Sequence, residues 1–434
     1  MKQPESQGKD TVEFSSPESW GQLHTELLQS TVNRVYTRVP FYRKAMEKNG
    51  IKPDIIDSAL DLYALPFTTR KDLSDNYPYN FFAVPLRDIV RIHSLRLGIS
   101  QPLALGYTKQ DIEHRRGLAI RFLTSCHVIP EDIVQFCLDP GLAVKACDLA
   151  EGAEALGALV IPPDPLSTDA RIRILADFKT TTIVTTPSYL VYLLAKIPEM
   201  GIPLASLSLR RAILVGESLA DALRDNLEVE FGIQAISAYG IMEAGGPCLA
   251  YECENRQGLH VAIDHVIPEI VEPGTDKVLP AGEAGELVIT TLTARANPLV
   301  RFRTGDITRL IKEPCACGRT TWRIMPVVSR CDALISVRGV LLDSTLIEKF
   351  FEKMAQKKLD FVIIVKNRQG LQSVEVWVSV SSEFFTGSLP DLHNWIRIAE
   401  TAFEEVFGIG CIIKPVELET IARWLSTGQK VVHL

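Results

Sequence analysis

Between residues 133 and 216, short runs of β-branched and apolar residues recur with room for a helix between them: IVQFCL (133–138), ALVI (158–161), TTIVTT (181–186) and AILVG (212–216). Stretches with helical periodicity, 168–178 and 218–230, alternate with these runs. Strands separated by helix-length segments pair in parallel and carry the helices on their faces, so this half of the chain reads as a parallel, helix-covered sheet. From about residue 258 to 311 the pattern becomes alternating strands with turns at PGTD, PAGEAG and ARANP, which predicts antiparallel β structure. After Arg330 the composition shifts again. A helix at about 344–357, strands FVIIVK and VEVWVSV, a helix at 391–406 and a strand CIIKPV predict a compact α+β unit. VEVWVSV places Val374, Val376, Val378 and Val380 on one face of its strand. Upstream, Leu23, Leu27, Leu28, Val32 and Val35 predict a helix over 19–48 that stops at Gly50. The first 16 or so residues are polar and read as loose.

A chain of 434 residues exceeds what one core usually organises, so more than one domain is expected. The net charge of -7 gives no electrostatic reason to expect nucleic acid or an anionic membrane as partner. MKQPESQGKDTVEF has no apolar core of the kind a signal peptide needs. No uncharged apolar run approaches the ~20 residues of a membrane helix. Nine scattered cysteines, an odd number, suit a reducing compartment better than a disulfide framework, and the expected location is cytoplasmic.

Several blocks carry more than periodicity. They are VPFYRKAMEKNGIKPDII (39–56), LPFTTRKDLSDNYP (65–78), FAVPLRDIVRIH (82–93), TPSYL (186–190), SAYGIMEAGGP (237–247), ECENRQGLHVAIDHVIPEIVEP (252–273), GELVITTLTARANPLVRFRTGDITRL (285–310) and SRCDALISVRG (329–339). In wording and order they resemble the phenylacetate–CoA ligase family of adenylate-forming, AMP-binding enzymes, over nearly the whole chain. The resemblance implies an α/β fold class. Residues 1–330 would form a large adenylation domain of helix-covered sheets plus a β-rich subdomain. Residues 331–434 would form a small mobile α+β domain. It implies an ATP-dependent acid–CoA ligase: a carboxylic acid and ATP give an acyl-adenylate and pyrophosphate, the small domain rotates, and the CoA thiol attacks. The implied ligands are ATP or AMP, Mg2+, CoA and a small carboxylic acid. Pairing as a homodimer is common in the family.

The same resemblance distributes roles. Glu243, in YGIMEAGG, would hold Mg2+, which neutralises phosphate charge during transfer. Tyr239 and Gly240 would lie beside the adenine. Asp306, in RFRTGDIT, would accept the ribose hydroxyls; a salt bridge with Arg301 or Arg303 is the plainer reading, and the two are compatible. Arg330 suits a phosphate or ribose contact through its planar guanidinium. Asp332 matches the hinge, and Gly339 the glycine that lets the small domain's backbone approach the CoA channel.

A separate constellation needs no nucleotide. Cys253 and His260 lie in one loop, and Cys315-Ala316-Cys317-Gly318 follows about 55 residues later. Three thiolates and an imidazole are the ligand set of a closed tetrahedral zinc site. Cys-x-Cys is tighter than the usual Cys-x2-Cys. Some members of the resembled family carry a matching set and bind structural zinc there. His265 is a spare ligand, better placed in a core or outer shell.

Three stretches depart from the family pattern. The phosphate loop should be a glycine-, hydroxyl- and lysine-rich run whose N–H groups wrap phosphate. Residues 94–103 read SLRLGISQPL instead, with Leu95, Leu97 and Ile99 at alternate positions and Arg96 as the remaining cation for phosphate. The family tail ends Gly-Lys, whose amine acts in adenylation. Here Gly428 is followed by Gln429, and Lys430 comes one residue late. The presumed acyl segment, FCLDPGLAVKACDLAEGAEALG (136–157), lacks the aromatic residues expected around a phenyl ring and carries Lys145, Cys147 and Asp148. Three readings follow: a ligase with an unusual loop, a degenerate member that binds a ligand or partner without ATP chemistry, and a transferase that uses only the CoA channel.

Overall fold

The computed structural model describes residues 12–95, 102–138, 140–246, 248–332, 334–356, 358–368, 371–379, 389–427 and 430–433. The expectations for Arg96 and its loop neighbours 97–101, for Val380, and for Gly428 and Gln429 lie outside these residues.

Pro17 opens the first helix, α1 (Pro17–Arg38), where a proline has no intrahelical N–H to lose. Ser16 caps it by accepting from the Ser19 N–H at 3.3 Å. The expected single helix over 19–48 is two helices. Pro40 cannot donate inside a helix and pushes Val39 to extended backbone, so α2 (Pro40–Lys48) starts afresh. α3 (Arg70–Asp75) begins with a reciprocal box of Thr69 and Asp72. β1 (Arg91–Leu95) and β2 (Leu103–Tyr107) form an antiparallel pair, the two arms of the altered loop, with Leu95 opposite Leu103. α4 (Lys109–Ser125) follows, boxed by Thr108 and Asp111.

The alternating half folds as expected. Strands β3 (Ile133–Cys137), β4 (Leu159–Ile161), β5 (Thr182–Thr185), β6 (Arg211–Leu214) and β7 (Gln234–Tyr239) are parallel to one another. They are joined by α5 (Pro140–Ala155), α6 (Thr168–Asp177), α7 (Pro187–Glu199) and α8 (Asp221–Phe231). The acyl segment is thus mostly helix. α5 crosses α4 closely at Gly152, where an added Cβ would lie 2.7 Å from the Ala119 Cβ.

After β7 the sheet changes sense. β8 (Ala250–Glu252), β9 (Leu259–Val261), β10 (Val266–Val271), β11 (Ala284–Thr291), β12 (Phe302–Ile311) and β13 (Arg323–Ile324) pair antiparallel, as the 258–311 pattern predicts. β7 pairs with β8, which welds the two halves into one sheet of order β10-β11-β12-β13-β9-β8-β7-β6-β5-β3-β4. β14 (Ser329–Arg330) pairs with β12 and brings Arg330 opposite Asp306.

Downstream, β15 (Leu334–Val337) and β16 (Val340–Asp343) make a hairpin. Its two turn residues, Arg338 and Gly339, have φ of 49° and 75°, the geometry of a type I′ turn. α9 (Ser344–Ala355), β17 (Phe361–Arg368), β18 (Leu371–Ser379), α10 (Leu389–Phe407), β19 (Cys411–Val416), α11 (Leu418–Leu425) and β20 (Val431–His433) complete the chain. The sheet order is β19-β18-β17-β20. Val374, Val376 and Val378 share one face and pack with Phe351 of α9 and Phe403 of α10. Val362 and Ile364 face the other way, onto Ile421 and Trp424 of α11. The cores upstream of β15 contain none of these residues.

Candidate functional site

The parallel strands β6 and β7 end at a cavity of about 1350 Å³. Ligands of open α/β sheets bind outside the carboxyl ends of such strands, where the loops can converge. Gly216 and Glu217 follow β6, and Tyr239, Gly240 and Glu243 follow β7. Asp306, Arg330 and Asp332 come from the antiparallel half and its exit, and Gly339 and Lys430 from the downstream unit. All of these residues line the one cavity.

A single charged network holds the centre. The Tyr239 hydroxyl donates to Asp306 Oδ2 at 2.7 Å, and Arg330 Nη1 donates to Asp306 Oδ1. Arg330 Nε donates to Asp332 Oδ1 at 2.8 Å, and its Nη2 to the Thr304 carbonyl at 2.8 Å. Arg70 donates through Nε to Glu243 Oε1 at 2.9 Å and through Nη1 to the same Thr304 carbonyl at 2.6 Å. Its Nη1 also lies 3.5 Å from Asp332 Oδ2. Tyr239, Glu243, Asp306, Arg330 and Asp332, five residues picked from sequence, therefore meet through two arginines and one carbonyl.

Two of the sequence expectations need correction here. Asp306 does not pair with Arg301 or Arg303. Arg301 pairs with Glu269 and Arg303 with Glu286, each at 2.9 Å. The β11–β12 register shifts between Arg303 and Ile307, where Gly305 has φ of 80°, and on either side of that irregularity Arg303 turns to Glu286 and Asp306 to Arg330. Arg70 had no role assigned, although it sits in the quoted block LPFTTRKDL. The signal was its place at the first helical position after the Thr69 box, which buries its stem and aims its head at the sheet.

Burial raises the Asp306 carboxyl above its ordinary range, an effect that Arg330 and Tyr239 only partly offset. Burial also pushes the Tyr239 phenol well up, with the Asp306 charge adding to it. Tyr239 thus stays a neutral donor.

Gly339 reaches the cavity at the tip of the β15–β16 turn. An added Cβ there would sit 3.0 Å from Leu142 Cδ1 and 3.1 Å from the Gly216 carbonyl, so backbone meets backbone across the two units. Lys430 enters just before β20. Its ammonium is held by Glu348 Oε2 of α9 at 2.6 Å and lies 5.6 Å from the centre of the Phe361 ring.

Away from the cavity, Cys253, His260, Cys315 and Cys317 bring their four ligand atoms within 4.8 Å of one another. His260 is on β9 rather than in a loop, and Cys253 directly follows β8, so a hairpin supplies two of the four. Cys253 and Cys315 Sγ atoms are 3.7 Å apart, and Cys317 Sγ is 3.4 Å from His260 Nε2. A zinc tetrahedron with bonds of about 2.3 Å to sulfur and 2.0 Å to nitrogen has edges of roughly 3.8 and 3.5 Å. His260 Nδ1 meets the Thr321 hydroxyl at 2.9 Å, which fixes the ring. Burial, with Arg319 and Arg323, lowers His260 to about 4, so the imidazole is neutral near pH 7. His265 is not part of the cluster; its Nδ1 meets the Thr293 hydroxyl at 2.7 Å.

The fold is that of an adenylate-forming enzyme: an α/β chain with a C-terminal α+β unit and a large cavity at the ends of its parallel strands. Residues 114–293 match the AMP-binding enzyme family. Phenylacetate-coenzyme A ligase of Thermus thermophilus is 36% identical over 84% of this chain and 82% of its own. The chain belongs to the phenylacetate–CoA ligase family. Its backbone superposes on 2-hydroxyisobutyryl-CoA ligase in the thioesterification state with a TM-score of 0.88, at 21% identity, over 97% of this chain and 91% of that one. On the postadenylation state of that enzyme the TM-score is 0.71, at 20% identity, over 100% and 94%.

Proposed function

We propose that this protein joins a small carboxylic acid to CoA by way of an acyl-adenylate, using residues 1–330 for the nucleotide and 331–434 as the moving unit. The observation that carries this reading is the Tyr239–Asp306–Arg330–Asp332 network. It brings the Asp306 carboxylate, the Arg330 guanidinium and the Asp332 carboxylate into direct contact at the cavity, which supports ribose binding by Asp306 and a hinge at Asp332. Each Asp306 oxygen accepts one bond, and a carboxylate has about four acceptor sites, so both ribose hydroxyls can be taken as well. Tyr239 and Gly240 line the same cavity, which supports their place beside the adenine. Glu243 gives only Oε1 to Arg70, which leaves capacity for Mg2+. When bound, Mg2+ would neutralise the charge of the departing pyrophosphate. Arg330 would hold the nucleotide in place while the acyl carbon is attacked.

The Gly339 turn against Gly216 fits the thioester-forming arrangement, with the acyl carbon at the cavity wall and the thiol entering beside the hairpin. In that arrangement Lys430 is parked on Glu348. Rotation about Asp332 would break the Arg70–Asp332 contact and carry Lys430 inward for the adenylating step. The four-ligand cluster would hold a structural zinc: its Cys253–Cys315 and Cys317–His260 spacings are close to tetrahedral edges, all four ligand atoms lie within 4.8 Å of one another, and the Thr321 hydroxyl orients the histidine. The free cysteines elsewhere suit a reducing, cytoplasmic setting.

The reading without ATP chemistry has two observations in its favour: Arg70 already neutralises Glu243, and Lys430 is tied to Glu348 within its own unit. Calorimetric titration of ATP·Mg2+ and AMP into the purified chain separates the two. Micromolar binding of ATP·Mg2+ supports the ligase, and pyrophosphate release with a panel of acids follows. Binding of AMP alone means that the adenosine half survives without the phosphate half. Binding of neither sinks the ligase reading.

A further inference from the structure

A second, smaller cavity of about 50 Å³ shares Met242 and Glu243 with the large one. It lies behind the turn after Glu243, between the first turns of α4 and the segment that follows β11. Three polar atoms on its wall have no hydrogen-bond partner among the described residues: the Tyr107 hydroxyl, Asn297 Nδ2 and His114 Nδ1. Tyr107 and Asn297 are each only 7% exposed. Leaving a buried donor unpaired costs roughly 1–3 kcal/mol, so three on one small wall mark a place built for a hydrogen-bonding group.

The charges around it are already balanced. Arg115 donates to Asp148 of α5 and stacks over the Tyr107 ring at 4.7 Å from its centre. Glu243 is met by Arg70. Asp111 accepts from the N–H groups of Thr108, Arg295 and Ala296 and from the Thr108 hydroxyl. Burial keeps the Tyr107 phenol protonated and lowers His265 on the same wall to about 4, so it is neutral. Among the described residues that line the cavity, each charged group already has its partner, whereas a neutral oxygen meets the Tyr107 hydroxyl and the Asn297 amide as donors, and His114 Nδ1 in the tautomer that carries its proton there.

Size narrows the class. A water occupies about 30 Å³, and a cavity that takes benzene is about 150 Å³. This one has room for a hydroxyl- or carbonyl-bearing carbon and none for a phenyl ring.

We infer that this cavity is the subsite for the far end of the acid, and that the acid is a short hydroxy- or oxo-acid rather than an arylacetate. The inference rests on the acid–CoA ligase reading and names its substrate class. Tyr107, Asn297 and His114 supply the hydrogen bonds, and the Arg115–Asp148 pair fixes Tyr107 from below.

The test compares CoA-thioester formation by the full chain, with ATP·Mg2+ and CoA, on matched acids. The pairs are 3-hydroxybutanoate with 3-methylbutanoate and 4-oxopentanoate with 4-methylpentanoate, with phenylacetate alongside. The expected result is a kcat/KM ratio of at least about tenfold for the oxygen-bearing member of one pair, reduced by roughly tenfold in Tyr107→Phe. The phenol has no partner to lose, so the variant should fold, which circular dichroism would verify. The wild-type ratio decides independently of any variant. Thioester formation with a flat ratio, or with phenylacetate as the best substrate, overturns the subsite and leaves the ligase standing. Absence of thioester and of pyrophosphate with every acid overturns the ligase reading and the subsite with it.

Discussion

Arg70 holds Glu243 with one nitrogen and reaches the Thr304 carbonyl and Asp332 with another, so one buried guanidinium spans the carboxylate proposed for Mg2+ and the one proposed as hinge. Glu243→Gln keeps the shape and removes the charge. It is expected to lower ATP-dependent thioester formation by about 100-fold or more, as loss of one preorganised electrostatic group can. Unchanged turnover would remove Glu243 from the metal role. Gly339 presents the opposite case, a residue needed for what it lacks. At φ 75°, with Leu142 and the Gly216 carbonyl about 3 Å from any Cβ, Gly339→Ala should strain the turn by roughly 1–3 kcal/mol. Pyrophosphate release should persist while thioester formation slows; equal loss of both would argue against a role confined to the second step. At this scale the sequence singled out residues that the structure brings to one cavity, and was poor on their partners. Asp306 was found, but its partner Arg330 is 24 residues away and reaches it only because β14 pairs with β12. Strand pairing of that kind is not written in local spacing.

Elements were the most legible scale, because periods of 2 and 3.6 are local properties. The parallel strands and CIIKPV lie within a residue or two of their predicted bounds, whereas the antiparallel part extends beyond 258–311, to β8 at one end and β13 at the other. The helix over 19–48 failed at a single imino acid. The Cys/His cluster shows the reverse: its four residues were readable as a set, but the β8–β9 hairpin that presents two of them was not. If that hairpin and the 315–318 loop share an ion, metal analysis should find close to one zinc per chain. Cys315→Ser should lower both the metal content and the melting temperature; a metal-free wild type with an unaffected variant would exclude the site. β18 carries a different internal charge. Glu375 is 1% exposed and flanked by Lys366 and Lys414 at 2.8 and 3.1 Å. Burial alone would raise its carboxyl, yet the two lysines and Trp377 hold it down to about 2, from an ordinary 4.5. A depressed acid stabilises the fold above its unfolded value and loses that contribution as pH falls from about 4.5 towards 2. The contribution is at most about 3 kcal/mol. Glu375→Gln should flatten acid unfolding across that window, and a wild-type slope in the variant would contradict the assignment.

For the molecule as a whole, the order of the motif blocks pointed to the two-part architecture before any strand was placed. Two of the three departures from the family pattern, the altered loop and the Gly428–Gln429 pair, fall outside the described residues, so their consequence for adenylation rests on titration and turnover. The third became legible only in three dimensions. Asp148 looked like a polar intrusion in an acyl segment, and it is the buried partner of Arg115 beneath a small polar cavity. The pairing of α4 with α5 that creates it depends on a helix crossing that no single-chain pattern specifies.

The first helix is fastened by the far end of the adenylation half. Trp20 donates to the Thr320 hydroxyl, His24 meets the Ile263 carbonyl, Thr31 donates to the Leu292 carbonyl and Arg34 to that of Ala294. These partners lie between 239 and 300 positions later in the chain. On a ribosome adding roughly 5–20 residues per second, α1 leaves the exit tunnel tens of seconds before anything exists for it to dock on. Until then Leu28, Val32 and Val35, all fully buried in the finished protein, stand open to water with no surface to cover them, a stripe of the kind that chaperones shield during synthesis.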